Sequence, residues 1–286
     1  MILVVGATGN VGAHVVRRLV AMGERPRALV RDPDKARDRL GGQVEQVVGD
    51  IDRASTLPPA FTGVDRVFVV TTQSNRQVEQ EQAVIEAASR ADVRHVVKLS
   101  VFRADDNSPL QIARQHRQAE RTLERSGLSF TILRPPFFMQ NLLGMVRNGA
   151  VSTAALGGRV AMIDARDVAN VAVAALVGSG HEGMTYTPTG PEALSFDEVA
   201  QVLTQQTGTQ IRHVRVSPEE VGRALRGRGM AHWYAEDMAK LHGMLADGYE
   251  EVVTDDFRTV TGTGPRPLAR FAEDFSGVVT ERTGDR

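Results

Sequence analysis

Cysteine is absent from all 286 residues. That excludes disulfides, thiolate nucleophiles and thiolate metal sites at once. Neither sign of charge dominates: 34 Lys and Arg stand against 35 Asp and Glu, for a net charge of −1. A nucleic-acid binder usually carries a basic excess or stripe, so no nucleic-acid partner is expected. No stretch approaches the roughly 18 apolar residues that a membrane span needs. The first apolar run, Met1 to Val5, is too short for a signal h-region and runs straight into a glycine loop. The seven histidines show no His-x-x-x-His pair, and no Gly-x-Ser-x-Gly elbow occurs. These absences describe a soluble cytoplasmic protein with a small-molecule partner, no metal and no membrane. Its oligomeric state is not written in the sequence.

What is present is an alternation of short apolar runs with longer periodic segments. The runs are Ile2–Val5, Arg27–Val30, Val44–Val48, Arg66–Val70, His95–Leu99 and Phe130–Leu133. Most are rich in Val, Ile, Leu or Phe, as strands buried on both faces should be. Between them, Asn10–Met22 places Val11, Val15, Val16, Leu19 and Val20 on one helical face and stops at Gly23. Gln77–Ala91 and Ser108–Ser126 read as helices in the same way. Strands separated by helices give βαβ units with right-handed crossovers. The fold class is therefore α/β, a Rossmann-type doubly wound parallel sheet.

The second half is less regular. Helices are expected at Arg166–Leu176 and Ser195–Thr207, the latter opened by Ser195 and Glu198 in capping-box spacing. Ser217, Pro218 and Glu220 open another by the same device. Short strands are expected at Val160–Ile163, Thr185–Thr187 and Ile211–Val216. Residues 1–135 read as the nucleotide-binding core, with later strands returning from about 160–190. Residues 136–286 read as a small α/β lobe interleaved with it, and the polar tail Val278–Arg286 as frayed.

The chemistry begins with Gly6-Ala7-Thr8-Gly9-Asn10-Val11-Gly12. Glycine is needed where the turn is tight and where backbone must approach a pyrophosphate. A helix N-terminus then offers free N–H groups and partial positive charge. Strand, loop, helix and returning strand are all in place here, which makes a dinucleotide cofactor the reading. The end of the second strand, Arg31-Asp32-Pro33, bears on the choice between NAD and NADP. Asp32 before Pro33 reads as an N-cap for the next helix. Arg31 has no such local task, and Lys35 adds positive charge one turn on, so NADPH is favoured over NADH. Asp50, after the third strand, reads either as a contact to the adenine or as an ordinary turn residue.

These residues carry a resemblance. The glycine loop, Val30-Arg31-Asp32-Pro33-x-Lys35-Ala36, Gly49-Asp50, and Phe130 to Pro135 followed by Phe137-Phe138-Met139-Gln140-Asn141 resemble the NmrA-like branch of atypical short-chain dehydrogenases. So does Gly180-His181-Glu182-Gly183 with Tyr186. Within that branch the chain is similar to NADPH-dependent quinone oxidoreductases and triphenylmethane reductases. The resemblance implies that Thr8, Gly9, Asn10, Val11 and Gly12 contact the pyrophosphate, and Arg31 with Lys35 the 2′-phosphate. It implies that Thr71, Thr72 and Gln73 lie along the ribose. Leu99, Ser100 and Pro135 to Asn141 would border the nicotinamide and substrate. The branch also holds redox-sensing regulators, so a non-catalytic NADP(H) sensor is the alternative to an oxidoreductase.

Ordinary short-chain dehydrogenases use Tyr-x-x-x-Lys, with Tyr as acid and Lys lowering its pKa. Here the residues four beyond Tyr186, Tyr234 and Tyr249 are Gly190, Met238 and Val253, so the dyad is missing. The corresponding helix carries His116 and Glu120 at i and i+4 instead. A His near neutral pKa, oriented by a carboxylate, is a candidate proton donor, and the resemblance to quinone reductases implies a similar pair. The alternative is an incidental pair on a polar helix. Lys98, inside an apolar strand, is a site candidate because buried lysines are rare unless paired or functional; the alternative is a lysine emerging at an exposed strand end. Ser100, at that strand's C-terminal end, is a candidate donor to nicotinamide or substrate. Hydride transfer to a quinone needs no dedicated acid, only an apolar wall. Phe137, Phe138 and Met139 are candidates for that wall, with core packing as the alternative. Trp233 and Tyr234, with His232, are candidates for a lid.

Overall fold

The computed structural model describes residues 1–42 and 44–284. Each apolar run of the first half becomes a strand and each periodic segment a helix. In order these are β1 (Ile2–Val5), α1 (Gly12–Ala21), β2 (Arg27–Val30), α2 (Pro33–Leu40), β3 (Glu45–Val48) and α3 (Pro58–Phe61). They continue with β4 (Arg66–Val69), α4 (Gln77–Arg90), β5 (His95–Leu99), α5 (Gln111–Arg125) and β6 (Ser129–Leu133). The second half adds α6 (Gln140–Met145), β7 (Val146–Arg147), β8 (Ala150–Thr153), β9 (Arg159–Val160), α7 (Ala165–Val177) and β10 (Met184–Tyr186). It closes with β11 (Leu194–Ser195), α8 (Phe196–Thr207), β12 (Arg212–Arg215), α9 (Pro218–Gly227), α10 (His232–Ala246), α11 (Asp256–Thr261), α12 (Leu268–Asp274) and α13 (Ser276–Gly284).

Seven strands form one parallel sheet in the order β10-β6-β5-β4-β1-β2-β3. The chain runs from β1 out to β3 and then crosses to β4 on the other side of β1. Strand order reverses between β1 and β4, and ligands of open α/β sheets bind in the crevice that such a reversal leaves at the C-terminal strand ends. The central strands are buried throughout, whereas edge strand β3 is half exposed. One apolar layer joins β1, α1 and α7 through Val4, Val15, Leu19, Val168 and Leu176. The opposite layer joins the sheet to α3 and α4 through Leu3, Phe61, Val67, Val84 and Ile85.

A second core lies beyond β6. Phe137, Met139, Val151, Phe196, Leu203, Leu245 and Phe271 pack there around the β12-β8-β7 sheet. Capping boxes Ser195/Glu198 and Ser217/Glu220 open α8 and α9 as their spacing requires. Three expectations are corrected. Helix α1 starts at Gly12, not Asn10, because the loop needs two more residues to turn. The strand expected at Val160–Ile163 is only β9, with Ile163 bridging Phe138 alone. Far from fraying, the tail is helical from Ser276 to Gly284 and buries Val279 completely; Asp285 and Arg286 lie outside the described residues.

Candidate active site

The glycine loop sits where the sheet order reverses, and its geometry leaves no room for a side chain at Gly6 or Gly12. Gly6 has φ +74°, and a Cβ there would lie 2.2 Å from the Val70 carbonyl oxygen at the end of β4. A Cβ on Gly12 would lie 2.1 Å from the Gly6 carbonyl oxygen, and on Gly9 3.2 Å from the same atom. Bare backbone therefore forms the crevice floor between β1, β4 and the start of α1. Val11 offers α1 no side-chain cap. The N–H groups of Asn10 and Val11 find no protein acceptor among the described residues, so donors and the positive helix end are open to an anion.

Across the crevice, Asp32 is committed to α2, accepting from the N–H groups of Asp34 and Lys35 at 3.2 Å. Lys35 is held too, its ammonium 3.3 Å from Asp32. Arg31 is exposed and forms no hydrogen bond or ion pair among the described residues. Asp50 turns inward on its own loop: it accepts from the Asp52 N–H, which leads in holding its carboxyl below the usual range, and pairs with Arg53. The ordinary turn is thus the geometry seen at Asp50. The glycine cradle and the open amides fit the pyrophosphate of a dinucleotide.

Behind the crevice lies a buried polar cluster that joins three of the candidates to residues the sequence did not single out. Lys98, 1% exposed, places its ammonium 2.8 Å from Glu81 of α4, which is 0% exposed. Lys98 also approaches Nδ1 of His116 at 3.1 Å and donates to the Leu99 carbonyl at 3.2 Å. Glu81 accepts from the Thr71 hydroxyl at 2.8 Å and from Gln77 at 3.1 Å, and Gln77 reaches His116 Nε2 at 2.9 Å. Thr71 therefore faces this cluster, while Thr72 and Gln73 stand exposed beside it.

His116 and Glu120 do share a face of α5, but they are not a pair. Ser100 donates to Glu120 at 2.6 Å, and Arg134 and Arg117 engage the same carboxylate. Burial alone would raise the Glu120 carboxyl, yet bonds from Arg134 and Ser100 hold it below the usual range. Burial and then the Lys98 charge push the His116 imidazole well below its usual value. That corrects the expected carboxylate-oriented acid: His116 is a neutral, buried ring whose Nδ1 accepts from the Lys98 ammonium. Ser100, 3% exposed, spends its proton on Glu120.

The expected apolar wall is corrected as well. Phe137 and Met139 belong to the second core, Phe137 stacking edge-on against Phe196 at 6.1 Å. Only Phe138 is half exposed, and Asn141 is exposed at the start of α6. Pro135 is buried, its carbonyl accepting from the Phe102 N–H at 3.0 Å and so tying the β5 and β6 exits together. The next residue, Arg103, has φ +50°, a conformation that costs a residue with a Cβ roughly 1–2 kcal/mol. Its guanidinium lies 5.1 Å from the Phe102 ring and 5.0 Å from the Tyr249 ring. Beside Tyr249, Glu250 is buried, accepts from the Phe137 N–H at 3.0 Å, and has its carboxyl pushed up to about 7 by that burial.

The expected lid residues begin α10, with Trp233 and Tyr234 half buried and stacked edge-on on each other. What anchors α10 is Asp237, whose carboxylate accepts from the N–H groups of Gln111 and Ile112 at 2.9 and 2.8 Å. It caps α5, which has no cap of its own. Glu81 was within reach of the sequence, as a carboxylate on the apolar face of α4 with Val84, Ile85 and Ala88. Arg103, Asp237 and Glu250 left no local signal. Among the described residues no group of His, Asp and Glu is placed to hold a metal, and no helix is long and apolar enough to cross a membrane.

Comparison with known proteins agrees with this geometry. An NAD(P)H azoreductase of Xenophilus azovorans is 41% identical over 277 residues, covering 96% of this chain and 97% of that protein. The crystal structure of an NADPH-dependent quinone oxidoreductase of Escherichia coli in complex with NADPH superposes with a TM-score of 0.86 at 26% identity, covering 96% of this chain and 99% of that one. A triphenylmethane reductase of Citrobacter sp. complexed with NADP(H) superposes with a TM-score of 0.83 at 27% identity, covering 99% of this chain and 100% of that one. These full-length relatives are NAD(P)H-dependent oxidoreductases. The model of the NmrA-like family matches residues 1–260, and the chain belongs to that family.

Proposed function

We propose that this chain is an NADPH-dependent reductase of quinones and other planar conjugated acceptors. The observation that carries the reading is the tight glycine cradle at the sheet reversal, together with an exposed Arg31 that makes no hydrogen bond or ion pair among the described residues. Thr8 to Gly12 would hold the pyrophosphate on backbone N–H groups, and Arg31 the 2′-phosphate. A charge-assisted contact of this kind is worth roughly 1.5–3 kcal/mol, about a tenfold to hundredfold preference over NADH. Bound there, the cofactor supplies a hydride.

The remaining work falls to positioning. Leu99 and Pro135 end the two strands that flank the site, and Phe138 offers the one half-exposed ring of the Phe137–Met139 run. The relatives named for quinone, azo and triphenylmethane substrates support an acceptor of delocalised electrons. Such an acceptor spreads the incoming charge and takes its proton from water, so no poised side-chain acid is required. That agrees with a Ser100 already bonded to Glu120 and a His116 that stays neutral.

The test is NADPH oxidation against a panel of quinones, azo dyes and cationic dyes, with Arg31→Ala alongside. The variant should lose at least tenfold in NADPH affinity and leave NADH affinity within twofold. An unchanged NADPH-to-NADH ratio removes Arg31 from the phosphate site. Tight NADPH binding without oxidation by any acceptor would turn the reading to a redox sensor.

A further inference from the structure

The seam between the core and the C-terminal lobe carries an exposed guanidinium, that of Arg103, held by rings and not by a carboxylate. Arg103 follows β5 by four residues, and the loop it sits on is stitched to the β6 exit by the bond from Phe102 N–H to the Pro135 carbonyl. Phe102 of the core and Tyr249 of the lobe meet edge-on at 5.9 Å and 82°. The Arg103 guanidinium rests over both rings, at 5.1 and 5.0 Å from their centroids. Cation–π contact fixes a guanidinium plane while leaving its N–H donors free. The side chain is exposed and forms no hydrogen bond or ion pair among the described residues. The neighbouring carboxylates are otherwise engaged: Asp105 accepts from the Asn107 N–H and Asp106 pairs with Arg121. Glu250, the carboxyl whose field Arg103 does reach, is buried and bonded to the Phe137 N–H.

A backbone in the left-handed region at a residue that is neither Gly nor Asn is held there by its surroundings. Residue 103 stands four positions past the end of β5, at the C-terminal end of the sheet and on its β5–β6 side, and there it presents a planar, five-donor cation. We propose that Arg103 is the substrate-specificity residue of this site and selects acceptors bearing an anionic group, a carboxylate or sulfonate on a conjugated ring system. The inference rests on the reductase reading above and adds to it a substrate charge. The guanidinium, held by its contacts to the two rings, supplies the bidentate contact to the acid group of such a ring system.

The experiment compares 1,4-naphthoquinone with its 2-sulfonate, in the wild type and in Arg103→Gln and Arg103→Lys. Arg103→Gln should raise KM for the sulfonate roughly tenfold, with kcat and the KM for the neutral quinone within twofold. Arg103→Lys should recover part of the loss, and added salt should raise the sulfonate KM in the wild type but not in Arg103→Gln. Equal shifts for both quinones, or none, overturn the proposal, the first by showing a merely structural role. Naphthalene-2-sulfonate binding by calorimetry, in the presence of oxidised cofactor, reads the anion contact without turnover. If neither quinone is reduced, the reductase reading fails, and calorimetry alone then decides for or against the anion site. Wild-type binding that Arg103→Gln abolishes supports it; equal binding by both proteins overturns it.

Discussion

The Lys98 ammonium and the Glu81 carboxylate meet at 2.8 Å with essentially no exposure to water. Two charges withdrawn from solvent hold each other in place, and removing one strands the other. Breaking such a pair costs about 3–5 kcal/mol, whereas replacing both members with neutral groups of similar shape costs far less. Lys98→Met and Glu81→Gln should each destabilise the fold by that amount. The double variant should recover a large share of the loss. Urea denaturation of the four proteins checks this, and additive losses would show that the pair is not coupled.

His116 stays neutral because burial and the Lys98 charge both oppose its protonation. A histidine whose folded pKa is depressed contributes stability that is full above the unfolded value and is lost as pH falls below it. The wild type should therefore lose stability relative to His116→Gln on acidification from about pH 7 to 5. The pH profile of turnover should keep its shape in His116→Gln, since no imidazolium is present to lose. A lost ionisation step in that profile would restore His116 as the acid.

Glu250 gives the opposite sign. Its carboxyl, ordinarily near 4.5, is pushed up to about 7. Between those values the folded protein holds a proton that the unfolded chain has released. The stability this contributes is full below pH 4.5 and is lost as pH rises through 7. Glu250→Gln keeps an oxygen to accept from the Phe137 N–H and removes the titration. The variant should gain on the wild type above pH 7, by on the order of 3 kcal/mol, and show no gain below 4.5. Thermal melting of both proteins across pH 4 to 8 would reveal a parallel pair of curves if the carboxyl does not titrate in this range.

Asp237 couples α10 to α5 across more than a hundred residues of sequence, by accepting from Gln111 and Ile112. Lost N-caps cost about 1–2 kcal/mol. Asp237→Ala should lose that much stability and raise hydrogen exchange in the first turn of α5 and along α10. Asp237→Asn, which keeps one acceptor oxygen, should fall between. Exchange raised in α5 alone would mean that α10 is held by other contacts.

How much of this could be read from sequence follows from the range of each interaction. The first six strands and α1, α4 and α5 were legible because a buried parallel sheet imposes apolar runs and its helices impose a 3.6-residue period, both local patterns; α3, a single turn at Pro58–Phe61, is too short to show one. The capping boxes at Ser195 and Ser217 were legible for the same reason, being confined to four residues. Phe137 and Met139 were misleading: a cluster of large apolar residues at a strand exit reads alike whether it faces a ligand or Phe196. His116 and Glu120 were placed on one face by spacing, but their partners, Lys98 and Ser100 at the end of β5, Gln77 of α4 and Arg134 after β6, come from three other segments. Spacing gives the face; only the fold gives the neighbour.

The glycine loop separates steric from conformational demand, because its glycines differ in what a methyl group would meet. On Gly12 a Cβ would press into the Gly6 carbonyl oxygen at 2.1 Å, backbone against backbone with no side chain to yield. On Gly9 the same oxygen stands at 3.2 Å, tight but within reach of a small shift. Gly12→Ala should therefore displace the loop itself, costing about 1–3 kcal/mol of stability as overpacking does. With the loop displaced, its N–H groups lose their alignment, and NADPH affinity should drop more than tenfold. Gly9→Ala should melt close to the wild type, and its penalty should show mainly as weaker NADPH binding, since the small shift that relieves the contact with the Gly6 carbonyl moves the N–H groups beside it. Melting temperature and calorimetric NADPH affinity, measured on both variants, separate the two effects. If Gly12→Ala binds NADPH as the wild type does, the cradle is not where the cofactor rests.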